Sequence, residues 1–220
     1  MTDTPSNLHQ GQPVLTAGKP LAEAQAAMIC VHGRGASAAD ILSLAAELAR
    51  PEFAYLAPQA AGNTWYPQRF LEPLESNEPW LSSALAAVGD VLASVGAAGI
   101  PPERTLLLGF SQGACLALEF AARNARRYGG VVGLSGGLIG PDGTPRDYPG
   151  SLDGTPVFLG CSNHDMHVPK ERVEESAHVL GRLGGQVRLR LYPDLGHEVN
   201  ADEIAFVRGM MDEVGEGRNA

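Results

Sequence analysis

Short apolar runs alternate along the chain with longer stretches that are apolar on one side only. Six runs read as strands: residues 26–31, 53–57, 105–109, 130–134, 156–160 and 187–192. The first five are apolar almost throughout, the pattern of strands covered on both faces of a parallel sheet. In the sixth, Val187, Leu189 and Leu191 alternate with Arg188 and Arg190, which predicts a strand wet on one face.

The intervening stretches carry helical spacing. Ser37 and Asp40 form a start signal, after which Ile41, Leu44, Ala45 and Leu48 fall on one face until Pro51. Leu81, Leu85, Val88, Leu92 and Val95 make a second stripe, stopped by Gly99 and Pro101. Residues 114–122 are apolar nearly all round, so this helix is expected to be central and covered. Val173, Ala177 and Leu180 mark a fourth helix with Pro169 near its start. Asn200 and Glu203 can cap a fifth that carries Ile204, Val207 and Met211. Strands alternating with helices predict one α/β domain on a mainly parallel sheet, helices on both faces. Its expected limits are 21–212, between a loose N-terminal segment (1–20) and a C-terminal tail (213–220). Residues 140–155, rich in Gly, Pro and Asp, read as a surface loop too short to be a cap domain.

Charge narrows the function. The chain carries 16 basic against 25 acidic residues, net −9, and only two lysines, Lys19 and Lys170. Such a surface repels phosphate backbones and offers no polybasic patch, so nucleic acid and anionic membrane partners are excluded. No apolar run reaches the roughly 18 residues of a membrane span, and the first residues lack a secretory signal pattern, so no integral membrane association is expected. Cys30, Cys115 and Cys161, an odd number at wide spacing, read as reduced thiols in a cytoplasmic protein.

The sharpest chemical signal is Gly109-Phe110-Ser111-Gln112-Gly113, a G-x-S-x-G between an apolar strand and a buried helix. Its glycines remove the Cβ atoms that would collide in a tight turn, and the helix start beneath Ser111 favours developing negative charge. A serine hydroxyl needs a base. His197, between the last strand and last helix, is the candidate; His9 falls in the loose segment and His178 on a helix surface. Asp165, after the fifth strand, is the carboxylate to orient His197, with Asp194 as rival in the histidine's own loop. The order Ser111, Asp165, His197 is that of α/β hydrolases. The backbone N–H groups of Gln112 and of Arg34, in the glycine turn after the first strand, are the candidate oxyanion donors.

These motifs, VHGRGAS (31–37), APQAAGNTWYP (57–67), GFSQGA (109–114), GCSNHDMHVP (160–169) and GHEV (196–199), resemble the phospholipase/carboxylesterase family of α/β hydrolases. Bacterial carboxylesterases and acyl-protein thioesterases belong to that family. The similarity runs over residues 26–211. It implies the α/β-hydrolase fold without a cap domain, and cleavage of small or lipid-like esters, or of thioesters or lysophospholipids, by Ser111, Asp165 and His197. No cofactor or metal is implied. The loop 59–74 is expected to form the lip of the acyl pocket, with Trp65, Tyr66 and Val168 as substrate contacts. Two positions depart from the family: Arg34 stands where an apolar residue is common, and Pro67 where Asp is. The Arg34 guanidinium is thereby a candidate for holding an anionic substrate group, or else simply points to solvent. Apolar residues on the Trp65 loop leave a pocket lip and a homodimer face as alternatives. Competing readings are a metal site built from His164, Asp165, His167 and His197, and a non-catalytic binding protein on the same fold.

Overall fold

The computed structural model describes residues 7–193 and 195–215, so Asp194 lies outside it. Seven strands form one sheet: β1 (Val14–Gly18), β2 (Ala26–Val31), β3 (Phe53–Pro58), β4 (Thr105–Phe110), β5 (Gly130–Leu134), β6 (Pro156–Ser162) and β7 (Gln186–Tyr192). Their spatial order is β1-β3-β2-β4-β5-β6-β7, parallel throughout except for β1, which runs antiparallel to β3. The helices are α1 (Ala38–Glu47), α2 (Trp80–Ala97), α3 (Gln112–Arg123), α4 (Lys170–Arg182) and α5 (Ala201–Gly215).

Two apolar layers sandwich the sheet. Alternate residues of β2 divide between them: Ala27, Ile29 and Val31 pack with α2, α3 and α4, whereas Ala26, Met28 and Cys30 pack with α1 and α5. The continuous apolar runs follow directly, since every strand residue of β2, β3 and β5 is buried. Helix α3 is buried from Gln112 to Ala122, the central position its all-round apolarity requires. The start of α1 forms the capping box of Ser37 and Asp40, and Asn200 and Glu203 make the same reciprocal pair before α5.

Three expectations need correction. Val14–Gly18 is no loose segment but the edge strand β1; its side chains are all exposed, so main-chain pairing with β3 holds it and no apolar signal marks it. The C-terminal boundary also moves, because α5 continues to Gly215 and Val214 is buried. The loop 140–155 lies at the surface, as expected, and is anchored from below: Arg172, buried on α4, bonds the carbonyl of Gly140 and the carboxylate of Asp142, and Glu119 of α3 accepts from Tyr148. Finally, α2 is an 18-residue helix with mean hydropathy 1.4, long and apolar enough to cross a membrane by length and composition. Its stripe of Leu81, Val88 and Val95 is buried in the layer it shares with α3.

Candidate active site

Ser111 sits between β4 and α3 with φ 55° and ψ −120°, a conformation L-residues rarely adopt. Backbone packing enforces it. A Cβ on Gly109 would lie 2.2 Å from the Gly113 carbonyl oxygen, and one on Gly113 would lie 2.1 Å from that of Val31. The glycines of G-x-S-x-G therefore let strand, turn and helix touch. The Ser111 amide donates to Leu134 O at 2.9 Å, tying the turn to β5.

The serine meets its partners in a chain of short bonds. His197 Nε2 lies 2.8 Å from Ser111 Oγ, and His197 Nδ1 lies 2.7 Å from Asp165 Oδ2. The other oxygen of Asp165 accepts from the amides of His167 (2.8 Å) and Val168 (3.1 Å). The Asp165 side chain is fully buried. Burial alone would push its carboxyl up, but the His197 hydrogen bond and charge and the two amides outweigh it and hold it below its ordinary value. Asp165 is therefore an anion at neutral pH, fixing the tautomer in which His197 Nε2 faces the serine.

Gln112 is the first residue of α3, where a main-chain N–H has no intrahelical partner. Its side chain faces the loop after β3: Oε1 accepts from the Trp65 amide at 2.9 Å and Nε2 donates to Tyr66 O at 2.8 Å. The turn after β2 is held from the same loop. His32 is buried, accepts the Ala60 amide at Nε2 (3.1 Å) and donates from Nδ1 to Gly33 O (2.8 Å). The Gly35 amide donates to Asn63 O at 2.7 Å, and the Trp65 indole N–H to His32 O at 2.9 Å.

A residue with no evident sequence signal completes this frame. His9 is buried against the rings of Trp65 and Trp80. It accepts the Ala61 amide at Nδ1 (3.1 Å) and donates from Nε2 to Trp65 O (2.9 Å). Both imidazoles thus join one amide to one carbonyl, which only the neutral form can do. Burial lowers both their pKa values, in keeping with that role.

A cleft of about 270 Å³ opens over Ser111 and His197. Tyr66, Phe70, Cys115 and Val168 supply its apolar wall, and Arg34, Arg69 and His167 its polar one. Tyr66 and Val168 therefore line the cleft over the serine. Trp65 does not: its indole is fully buried behind the wall, so it braces the loop instead of touching a ligand or a second protomer. The Arg34 guanidinium is exposed but not free. It donates to Thr64 Oγ1, Pro67 O and Gln68 O at 3.0, 3.0 and 2.6 Å and sits 5.9 Å from the Tyr66 ring centre. The carbonyl of Pro67, at a position where the family often has Asp, is one of its acceptors. Phe70 and Arg69 carried no motif, although both lie in the loop expected at the lip. A larger groove, about 690 Å³ between β7 and α5, shares no residue with this cleft.

The alternative metal cluster does not assemble. Asp165 and His197 bond each other, the His167 ring meets that of His197 edge-on at 4.8 Å, and among the described residues no three His, Cys, Asp or Glu side chains converge to hold a metal.

Residues 15–214 match the family model described as phospholipase/carboxylesterase. Acyl-protein thioesterase 1 of Gibberella zeae is 35% identical over 116 residues, 51% of this chain and 49% of that protein. The chain spans about half the length of the curated relatives it matches. The crystal structure of a phospholipase/carboxylesterase from Dyadobacter fermentans is 45% identical with a TM-score of 0.88, covering 91% of this chain and 96% of the other. That of esterase PE8 is 25% identical with a TM-score of 0.73, over 92% and 98% of the two chains.

Proposed function

The chain belongs to the phospholipase/carboxylesterase family, and from that premise we propose that it hydrolyses carboxylic esters through an acyl-enzyme on Ser111. The observation that carries this reading is the continuous bond from Ser111 through His197 to the buried Asp165, mounted on a strained elbow. Ser111 Oγ attacks the ester carbonyl while His197 Nε2 takes its proton. The carbonyl oxygen becomes an oxyanion held by the N–H groups of Arg34 and Gln112. On collapse the C–O bond breaks, and His197 returns its proton to the departing alcohol. Water then attacks the acyl-enzyme by the same route and releases the acid. Asp165 keeps the imidazole in register and stabilises its charged form.

Tyr66 and Val168 are proposed as contacts to the acyl group. A cleft of about 270 Å³ falls just below the usual range of about 300–1,000 Å³ for ligand sites, which supports short acyl groups. The likeness to acyl-protein thioesterases supports thioesters as a second substrate class for the same residues. Three buried, unpaired thiols support a reducing, cytoplasmic setting.

The test is the Ser111→Ala variant with an irreversible fluorophosphonate probe and 4-nitrophenyl acetate and butyrate. Labelling and turnover are expected in the native chain and absent from a variant that keeps its circular dichroism. Ester hydrolysis persisting in that variant would overturn the assignment.

A further inference from the structure

Two arginines line the cleft, and neither has its charge met by a carboxylate. All three Arg34 bonds end on neutral oxygens, two carbonyls and a hydroxyl. Arg69 is exposed, and among the described residues no hydrogen bond or ion pair engages its guanidinium. No acidic side chain lines this cleft, since Asp165 lies buried beneath His197 and His167 occupies the rim. Some arginines elsewhere meet carboxylates, as Arg50 does Asp212, Arg123 Glu119, Arg172 Asp142 and Glu175, and Arg190 Asp202, while Arg126 and Arg208 donate to main-chain carbonyls. In a chain of net charge −9, two cations without a carboxylate partner therefore line the cleft over Ser111. A cleft with low-dielectric walls and one sign of charge focuses its field on a ligand of the opposite sign.

We propose that the ester this site cleaves carries an anionic group, a carboxylate or phosphate, which Arg69 pairs with while Arg34 adds to the field. The inference rests on the Ser111 esterase reading and names its substrate class. The roles of the arginines differ. Arg34 directs three of its five N–H donors to residues 64, 67 and 68, which fixes its position, so it contributes mainly charge and a fixed wall. Arg69 retains a free planar fork that matches two oxygens of a carboxylate or phosphate. The cleft is small enough that an anion on either the acid or the alcohol portion of a short ester stays close to this fork.

Two matched pairs test it. Monoethyl adipate against ethyl hexanoate puts the carboxylate on the acid side. 4-Acetoxybenzoate against its methyl ester puts it on the alcohol side. For each pair the readout is the ratio of kcat/KM, anionic over neutral, in the native chain and in Arg69→Gln, at 20 mM and 500 mM sodium chloride. In at least one pair the ratio should exceed one at low salt, fall about fivefold or more at high salt, and fall comparably in the variant with its salt dependence lost. The salt dependence separates pairing from a merely structural role, because exposed charges are screened beyond about 10 Å at 0.1 M salt. Neutral esters cleaved with ratios that ignore both salt and the variant would overturn the proposal while leaving the esterase reading intact. Failure of the folded native chain to cleave any of the four esters would overturn both.

Discussion

Glu203 offers a quantitative test of how the segment bearing His197 is built. The chain runs from His197 through Asn200 into α5, and Glu203 closes that turn by accepting the Asn200 amide at 2.9 Å through Oε2. The side chain is completely buried, and Oε1 has no hydrogen-bond partner. Among the described residues no ion pair engages it, and β6 crosses so close that a Cβ on Gly160 would overlap Oε1. Burial is the main reason its pKa rises from 4.5 to about 7; the Asn200 amide opposes the rise and the charge of Asp202 adds to it. Between those pH values the folded chain holds a proton that the unfolded chain has released. Stability from this group therefore falls as pH rises through the window, and the loss is complete above about 7. At about 1.4 kcal/mol per pH unit the penalty is about 3 kcal/mol. The positive end of α5 offsets about 0.3–1 kcal/mol, leaving about 2–3. Glu203→Gln keeps an acceptor for Asn200 and cannot ionise. Urea unfolding of both proteins at pH 5 and pH 8 isolates the effect, because all other titrating groups cancel in the comparison. The variant should gain about 2 kcal/mol relative to the native chain on going from pH 5 to pH 8, because part of the window already lies below pH 5. A difference between the two proteins that is the same at both pH values would refute the buried-charge argument.

Two further substitutions probe the frame. His9→Ala strands the Ala61 amide and Trp65 carbonyl and opens a hole between two indoles; about 3 kcal/mol of stability should be lost, lowering Tm by roughly 6–12 °C in scanning calorimetry. Its kcat for a short neutral ester should also drop with little change in KM, since the affected loop braces Gln112 at the oxyanion position, and an unchanged kcat would detach the N-terminal segment from the site. Gly113→Ala places a methyl 2.1 Å from the Val31 carbonyl oxygen, with only main chain to give way, so soluble protein labelled by a fluorophosphonate at the native rate would contradict the close packing beneath the elbow.

Periodicity alone located six strands and five helices, because five of those strands are covered on both faces and apolar almost throughout, while β7 alternates. The Ser111, Asp165 and His197 constellation was equally legible, since each residue stands at the end of a strand where turn chemistry is written in glycines and short polar residues. What stayed hidden depends on backbone partners far away in the chain. Strand β1 has five exposed residues and is defined by its pairing to β3. His9 lies in a polar stretch, and its contacts come from residues 52 or more positions onward. Trp65 looked like a lip residue because an aromatic in a loop between motifs has no period to reveal which way it points. The Arg34 side chain could be assigned only once residues 64–68 were seen to pass above it.

These hidden contacts converge on one physical requirement. A strained serine and two main-chain donors act without reorganising only if the turns bearing them cannot relax. The elbow is locked by carbonyl-to-glycine contact, which leaves no side chain to adjust. The opposite turn lays the Val31 and His32 carbonyls against Gly113 and is further held from the loop 59–68 by side chains. His32 and Gln112 hold that loop from the inside, His9 from behind, and Arg34 from the cleft. Every one of these groups bonds the main chain, so they fix the path of the backbone while leaving the cleft-facing side chains free to vary. Tyr66, Arg69 and Phe70 can then set the size and charge of the acceptable ester without moving the amides of Arg34 and Gln112. On the proposed mechanism, selectivity is separable from oxyanion binding because one is carried by side chains and the other by the backbone they are mounted on.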